Sequence, residues 1–215
     1  ILSTVFASVL TIAGVGIRAA KNNTRIERFN STLLTTRQEY TDNLYYQQSS
    51  LMDDYYTSAM DLYEKGKYAD AADLFDRLRN YKDSRRYAVL CKYALATDWE
   101  EHGMYAKAAQ KFTEIGEFSD SPERAKSCLY RESKNLCDCG KYEVAMKNFK
   151  DLGDYKDSSE QYNKAKYNYA IQLRKAGNYN DAITIFNELG NYSDAETQIV
   201  ETLNMKSADS GSSAN

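Results

Sequence analysis

The residues best suited to chemistry are the single histidine, His102, and four cysteines. A thiol or hydroxyl nucleophile needs a neighbouring base, and His102 is the only imidazole in the sequence. It directly precedes Gly103, where a turn is expected, so it would lie on an exposed loop. The sequence also has no glycine-rich phosphate-binding loop. We therefore predict a protein that is not an enzyme and that carries no cofactor.

Cys128, Cys137 and Cys139 raise the alternative of a metal site. However, Cys139 and His102 occupy the same position in two copies of a repeat described below. The other copies fill this position with Lys65 and Ala176. Because a metal ligand would not be so variable, we expect a turn residue here and no metal.

The other cysteine pair also follows the repeat. Cys91 and Cys128 are 37 residues apart, and Ala165 stands at the same position in the next copy. A position that accepts cysteine or alanine is typical of a small buried site between helices.

Composition limits the class of partner. Of 215 residues 27% are charged, yet the net charge is only −3, so no large electrostatic field would capture nucleic acid. A single proline indicates long, uninterrupted helices. We expect a protein or peptide partner and no nucleic acid.

A repeat with a period of 37 residues is the strongest pattern in the chain. Seven slots recur in four copies: Gly66, Gly103, Gly140 and Gly177; Tyr68, Tyr105, Tyr142 and Tyr179; Ala71, Ala108, Ala145 and Ala182; Phe75, Phe112, Phe149 and Phe186; Leu78, Ile115, Leu152 and Leu189; Tyr81, Phe118, Tyr155 and Tyr192; Asp83, Asp120, Asp157 and Asp194. Such agreement predicts four copies of one structural unit.

Each slot has a physical reason. The glycine ends a first helix because it tolerates positive φ, and the alanine, phenylalanine and leucine slots give a second helix one buried face. The aspartate is expected to cap the next helix through its carboxylate. Pro122 falls in that helix's first turn, where proline is tolerated, and the helix then runs for about 18 residues. Alternating long and short helices predict an all-α fold, an α-solenoid preceded by a long N-terminal helix.

The start of the chain is apolar. Residues 1–17 carry no charge and would span about 25 Å as a helix, slightly less than a bilayer core. We predict that residues 1–20 form a membrane anchor, truncated at its start. The alternatives are a signal remnant and a helix packed against a partner. Basic residues follow and favour a cytoplasmic position for the repeats: Arg18, Lys21, Arg25 and Arg28.

Residues 21–51 form the connection to the repeats. Ile26, Phe29, Leu33, Tyr40 and Leu44 recur at steps of three, four and seven, which predicts one apolar stripe on a helix. Self-association through residues 26–44 is one use of this stripe, and packing on the first repeat is another. A break at 41–43 is a further expectation, since this polar segment would cap a second helix.

The repeats resemble the tetratricopeptide family. Ala59, Ala96, Ser133 and Ala170 hold the small slot of the first helix, and Leu62, Trp99, Leu136 and Leu173 hold the large one. The resemblance covers about residues 52–205, in repeats 52–88, 89–125, 126–162 and 163–205. Its period of 37 rather than 34, and a loop with an aromatic residue and an aspartate in place of proline, resemble domains found behind single anchors in many bacterial Firmicutes proteins.

The resemblance implies a binding surface. First helices line the concave face in this family, which would place there the tyrosine row: Tyr56, Tyr93, Tyr130 and Tyr167. By position this face would also include Met60, Thr97, Lys134 and Ile171, then Tyr63, Glu100, Cys137 and Arg174. Glu100, Glu101 and Asp138 would make its middle acidic and suited to a basic peptide. The alternative is that the rings pack between repeats.

These inferences combine into an expected function, a membrane-tethered scaffold that binds a protein or peptide through the concave face. The alternative is a structural or accessory subunit of a multi-protein complex, with residues 1–20 packed against partners. Residues 206–215 are polar and are expected to form a disordered tail.

Overall fold

The computed structural model describes the backbone of residues 2–212 and the side chains of residues 21–210. The described residues form only helices, which confirms the all-α prediction. These are α1 (Leu2–Glu64), α2 (Tyr68–Leu78), α3 (Ser84–Glu101), α4 (Tyr105–Ile115), α5 (Ser121–Asp138), α6 (Tyr142–Leu152), α7 (Ser158–Lys175), α8 (Tyr179–Leu189) and α9 (Ala195–Ser212).

The chain divides into two compact units, Ile1–Ser58 and Ala59–Asn215, so the dividing point lies inside α1. Within residues 21–210, no helix carries a stretch long and apolar enough to cross a bilayer. The predicted anchor at residues 1–20 lies outside the side chains that the structure describes, and it stays a prediction.

The first unit contains no break at residues 41–43, and that expectation is wrong. The Thr41 hydroxyl donates to the carbonyl oxygens of Arg37 at 3.1 Å and Gln38 at 2.8 Å. It therefore bonds back to the preceding helical turn instead of capping a new one, and α1 continues.

The second unit has the predicted alternation of helices. Short helices of 11 residues (α2, α4, α6, α8) alternate with long helices of 18 residues (α3, α5, α7, α9). Each helix from α2 onwards packs against the next along the chain, as in an α-solenoid. Pro122 lies in the first turn of α5, as expected.

The core of this unit is built from the repeated slots. Phe75, Phe112, Phe149 and Phe186 are at most 1% exposed, and the four alanines of the preceding slot are fully buried. The small slot of the first helices is also buried, with Ser133 in place of alanine in one copy. These burials confirm the predicted faces of the short helices.

Two turns per repeat use backbone that favours glycine. Gly140 ends a long helix at φ +70°, in a turn where the other copies also have glycine. The turn after each short helix has glycine in three copies but Arg79 at φ 55° in the first. Arg79 is therefore held in a conformation that is strained for a residue with a side chain.

The predicted tail is ordered over much of its length. Residues 206–212 continue α9, so the prediction of disorder is wrong for them, while residues 213–215 lie outside the described part. Lys206 donates to the Oδ1 atom of Asn180 at 2.7 Å, and the Tyr179 hydroxyl donates to Asp209 at 2.7 Å. These contacts with α8 hold the last turns of the helix.

Candidate functional site

The tyrosine row packs inside the repeat unit. The ring of Tyr130 meets Phe149 edge-on with centroids 5.9 Å apart, and it also meets Tyr155 at 6.1 Å. Tyr93 and Tyr167 make the same two kinds of ring contact in their own repeats. Tyr56 is half-buried at this slot on α1. The rings of the other three therefore brace neighbouring helices, which is the alternative that the sequence left open.

The hydroxyls of this row bind the repeated aspartates. Tyr93 donates to the Oδ1 atom of Asp120 at 2.6 Å, 27 residues along the chain. Tyr130 and Tyr167 repeat the bond at 2.5 Å, to Asp157 and Asp194. Asp120 and Asp157 make no side-chain cap on their own helices, so the cap prediction is wrong for α5 and α7, where the carboxylate turns toward the previous long helix. Asp83 makes no such cap on α3 either.

The bond between Tyr130 and Asp157 shifts the pKa of both partners. The bond from Tyr130 holds the pKa of Asp157 below its usual value, and the bond to Asp157 raises the pKa of Tyr130 to about 12. The pKa values of Asp120 and Asp194 are also lowered, first because each carboxylate accepts a tyrosine hydroxyl. The pair of Tyr130 and Asp157 therefore keeps a charged acceptor and a neutral donor at neutral pH.

The predicted acidic centre is partly neutralised. Glu100 accepts two bonds from the Arg124 guanidinium, at 2.9 and 2.6 Å, and Arg131 lies 3.6 Å away. The Glu100 side chain is only 14% exposed. Glu101 and Asp138 remain exposed on the last turns of α3 and α5. Glu100 thus joins α3 to α5, and it is not available as an anchor for a basic peptide.

Arg124 connects several residues of the same predicted surface. One of its terminal nitrogens donates to Thr97 at 2.9 Å and to the Tyr93 hydroxyl at 3.0 Å. The guanidinium also lies over the Phe112 ring, 4.5 Å from its centroid. This network ties two repeats together.

The predicted membrane-proximal residues are only partly described. Lys21, Arg25 and Arg28 are exposed on α1. Arg18 lies outside the described side chains.

The cysteines and the histidine form no site with one another. Cys91 and Cys128 are fully buried, as expected from their slot, and burial raises the pKa of each thiol to about 11. Cys137 is half-buried and Cys139 exposed. His102 is exposed, and its Nδ1 lies 2.8 Å from the carbonyl oxygen of Asp98, which raises the pKa of the ring. Among residues 21–210, no cluster of metal ligands occurs.

An apolar groove that the sequence did not predict lies in the third repeat, between α4, α5 and α6. We call it the third-repeat groove. It offers about 470 Å³, and its lining includes Ala109, Ala125, Leu129, Leu136 and Val144. Val144 is 51% exposed. The volume lies within the range of ligand pockets, about 300–1,000 Å³.

Comparison of the repeats explains how this groove arises. The slot of Leu129 holds lysine in the neighbouring copies, where Lys92 contacts Asp76 at 2.8 Å and Lys166 contacts Glu188 at 2.7 Å. Leucine removes that ion pair and leaves apolar surface open.

A second slot changes in the same way. The position of Val144 is charged in every other copy: Asp70, Lys107 and Asp181. These two departures from the repeat pattern were the available sequence signal.

A scan against protein-family models finds no match to the chain, and a search of curated proteins finds none either.

Proposed function

We propose that this protein is a membrane-tethered scaffold that binds a segment of another protein. The binding site is the third-repeat groove, and the bound segment inserts one or two apolar side chains between α4 and α6. The tether is the uncharged stretch at residues 1–17, followed by basic residues.

The observation that carries this proposal is the replacement of a lysine ion pair by leucine in the third repeat, where both neighbouring repeats keep the lysine, together with Val144 at a slot that is charged in every other copy. An exposed apolar side chain such as Val144 is unfavourable in water, whereas a lysine paired with a carboxylate is readily solvated. The two neighbouring repeats keep a lysine ion pair at the Leu129 slot and the first copy has Tyr55, so the fold does not need leucine here. The exception in the third repeat therefore supports a binding role.

The groove fits an apolar anchor with a polar surround. Seven of its lining residues are alanine, leucine or valine, and six are polar, among them Lys126, Glu132 and Asp151. Apolar side chains combined with a few polar groups are typical of sites that bind protein segments.

The test restores the repeat pattern. Leu129→Lys places at this slot the residue that its neighbours carry, beside Asp151, the counterpart of Glu188. Peptides selected from a displayed random library on the full-length protein in detergent would be titrated against both forms. We expect a loss of about 2 kcal/mol, roughly thirtyfold in Kd, because the anchor would meet a charge.

Lys92→Leu is the matched control, since it makes the reverse exchange in the second repeat and leaves the groove intact. It should bind the selected peptides as the wild type does. Equal binding by Leu129→Lys and the wild type would place the binding site elsewhere.

The tether is tested separately by a carbonate wash of membranes carrying the full-length protein or a form that begins at Lys21. Retention of the full-length protein alone is expected. If both forms wash off, residues 1–20 are a packing helix and the protein is a structural subunit of a complex.

A further inference from the structure

The surface of α1 carries a long row of exposed apolar side chains. Ile26, Phe29, Leu33, Leu34, Tyr40, Leu44, Leu51 and Tyr55 are each at least 47% exposed. Their residues span about 45 Å of helix, at 1.5 Å per residue. Soluble proteins seldom leave such a row open to water.

The row follows the spacing of a coiled coil. Ile26, Leu33 and Tyr40 are seven residues apart, and so are Leu44 and Leu51, which begin four residues after Tyr40. Alternating steps of three and four keep a seam on one side of a helix. We call these residues, with the intervening Asn30, Arg37 and Gln47, the α1 seam.

Most charged residues of α1 lie away from this side of the helix; Arg37 is the exception within the seam, and Asp54, at the seam position after Leu51, ends the apolar stretch. Arg25, Arg28, Glu39 and Asp42 fall on the opposite side at helical spacing. Two further aromatic residues, Tyr45 and Tyr46, lie away from the seam and are 71% and 72% exposed. The helix is therefore amphipathic, with an apolar side that has the width of a helix–helix contact.

The exposed area suits a stable interface. Eight large apolar residues that are about half exposed or more present on the order of 1,000 Å² in total, since an aromatic residue alone can bury about 150–250 Å². A stable interface takes about 800 Å² from each partner. The α1 seam, together with its flanking Phe29, Leu34 and Tyr55, is therefore large enough to hold a partner helix by itself.

The flanks of the seam point to a partner with the same sequence. In coiled coils, charged flanking residues set the choice of partner and its orientation. Here the flanks carry one charge, Glu27 beside the first seam residue, and are otherwise uncharged: Phe29, Thr36, Asn43 and Ser50 on one side, and Leu34, Thr41, Gln48 and Tyr55 on the other. A single flanking charge makes no pattern that would favour another protein over a second copy.

The polar seam residues point the same way. An apolar partner helix would bury Asn30 and Gln47 against groups that cannot bond to them. In a parallel pair of identical helices, each meets its own counterpart, and a seam asparagine is known to fix register in this manner. Arg37 is long enough to carry its charge out to water.

We propose that two copies of this protein pair in parallel and in register through the α1 seam, forming a two-stranded coiled coil over residues 26–51. The proposal is independent of the third-repeat groove, because it uses only residues of α1.

A disulfide test distinguishes this arrangement from others. Leu44→Cys, made in a Cys139→Ser background to remove the exposed native thiol, would be oxidised mildly in the full-length protein in detergent. Seam positions in a parallel pair approach within disulfide range, about 4.4–6.8 Å between Cα atoms. Most of the protein should become a covalent dimer, while the control Asp42→Cys, on the outer side, should stay largely monomeric.

A second pair of variants tests whether the seam causes the association. Sedimentation should give twice the mass of one chain for the wild type. Leu33→Glu with Leu44→Glu should weaken the dimer at least tenfold, whereas Tyr45→Glu with Tyr46→Glu should not change it. Circular dichroism would confirm that the helices persist.

Three results would overturn the proposal. One is a wild type that stays monomeric at tens of micromolar. Another is a dimer that Leu44→Cys does not cross-link, which would indicate antiparallel pairing. The third is a dimer that survives the two glutamates in the seam, which would place the contact elsewhere.

Discussion

At the scale of single residues, the repeat lets each exception be judged against its own copies. Arg79 is one such exception, since Gly116, Gly153 and Gly190 occupy its turn in the other repeats. Its φ of 55° lies where side chains are disfavoured. The sequence could have predicted this strain, because three glycines at one slot indicate a positive φ.

We predict that Arg79→Gly stabilises the protein. Relief of the strained backbone, about 1–3 kcal/mol, exceeds the added freedom of glycine in the unfolded chain, about 0.5–1 kcal/mol. The net gain should be about 1 kcal/mol, seen as a Tm higher by about 2–4 °C. Arg77→Gly, inside α2, is the control and should lower the Tm. A lower Tm for Arg79→Gly would mean that its side chain stabilises the turn.

At the scale of elements, spacing predicted the helices well and their connections less well. The repeated alanine and phenylalanine slots identify the buried face of each short helix, because burial recurs at helical intervals. The bond between Tyr130 and Asp157 was not predictable from local rules. An aspartate before a helix looks like a cap, and only the packing of two long helices brings a hydroxyl from 27 residues earlier to it.

The third-repeat groove was missed for a related reason. A period search emphasises what the copies share, whereas this surface depends on Leu129 and Val144, which depart from the pattern. Packing was needed to show that the two departures lie in one groove.

The tyrosine–aspartate bonds predict a specific acid sensitivity. The pKa values of Asp120, Asp157 and Asp194 are lowered in the folded protein, first because each accepts a tyrosine hydroxyl. Their stabilisation is therefore present above the ordinary aspartate value of 3.8 and is lost as the pH falls through the lower folded values. Urea denaturation should show a falling free energy of unfolding below about pH 4.

Removing the three hydroxyls should flatten this dependence. The variant with Tyr93→Phe, Tyr130→Phe and Tyr167→Phe keeps the rings and their packing but loses the bonds. Its free energy of unfolding at neutral pH should be lower than that of the wild type. The decrease in this free energy between neutral pH and pH 3 should be smaller than in the wild type. Tyr155→Phe, from the same loop region, is the control. An unchanged pH dependence in the triple variant would show that other groups cause the acid sensitivity.

At the scale of the whole molecule, identical cores raise the question of what keeps the repeats in order. Successive long helices contact each other through one pair of repeat positions, 24 residues apart, and we call this contact the joint. The residue types at these positions differ from one joint to the next. Tyr63 meets Tyr87 edge-on at 5.4 Å. The next joint is the ion pair of Glu100 with Arg124. Because the joints differ, a repeat paired with the wrong neighbour would lose its contact.

The residues of the last joint can be placed in an earlier joint to test whether joint chemistry sets the order of the repeats. At the last joint Arg174 donates to Gln198 at 2.6 Å, so arginine occupies the slot that Glu100 holds two repeats earlier. Glu100→Arg alone would set two guanidinium groups against each other. Measured costs are about 3–5 kcal/mol for breaking buried pairs and below about 1 kcal/mol for exposed ones. For this pair, with side chains 22% and 14% exposed, we expect a loss of about 2 kcal/mol in urea denaturation.

Glu100→Arg combined with Arg124→Gln would rebuild the chemistry of the last joint in the middle of the chain. The double variant should recover more than half of the lost stability, although it contains one further substitution. In a solenoid, where each repeat contacts only its neighbours, such a local repair should restore the cooperativity of the whole transition. A double variant no more stable than Glu100→Arg alone would show that the joint chemistry does not set the order of the repeats.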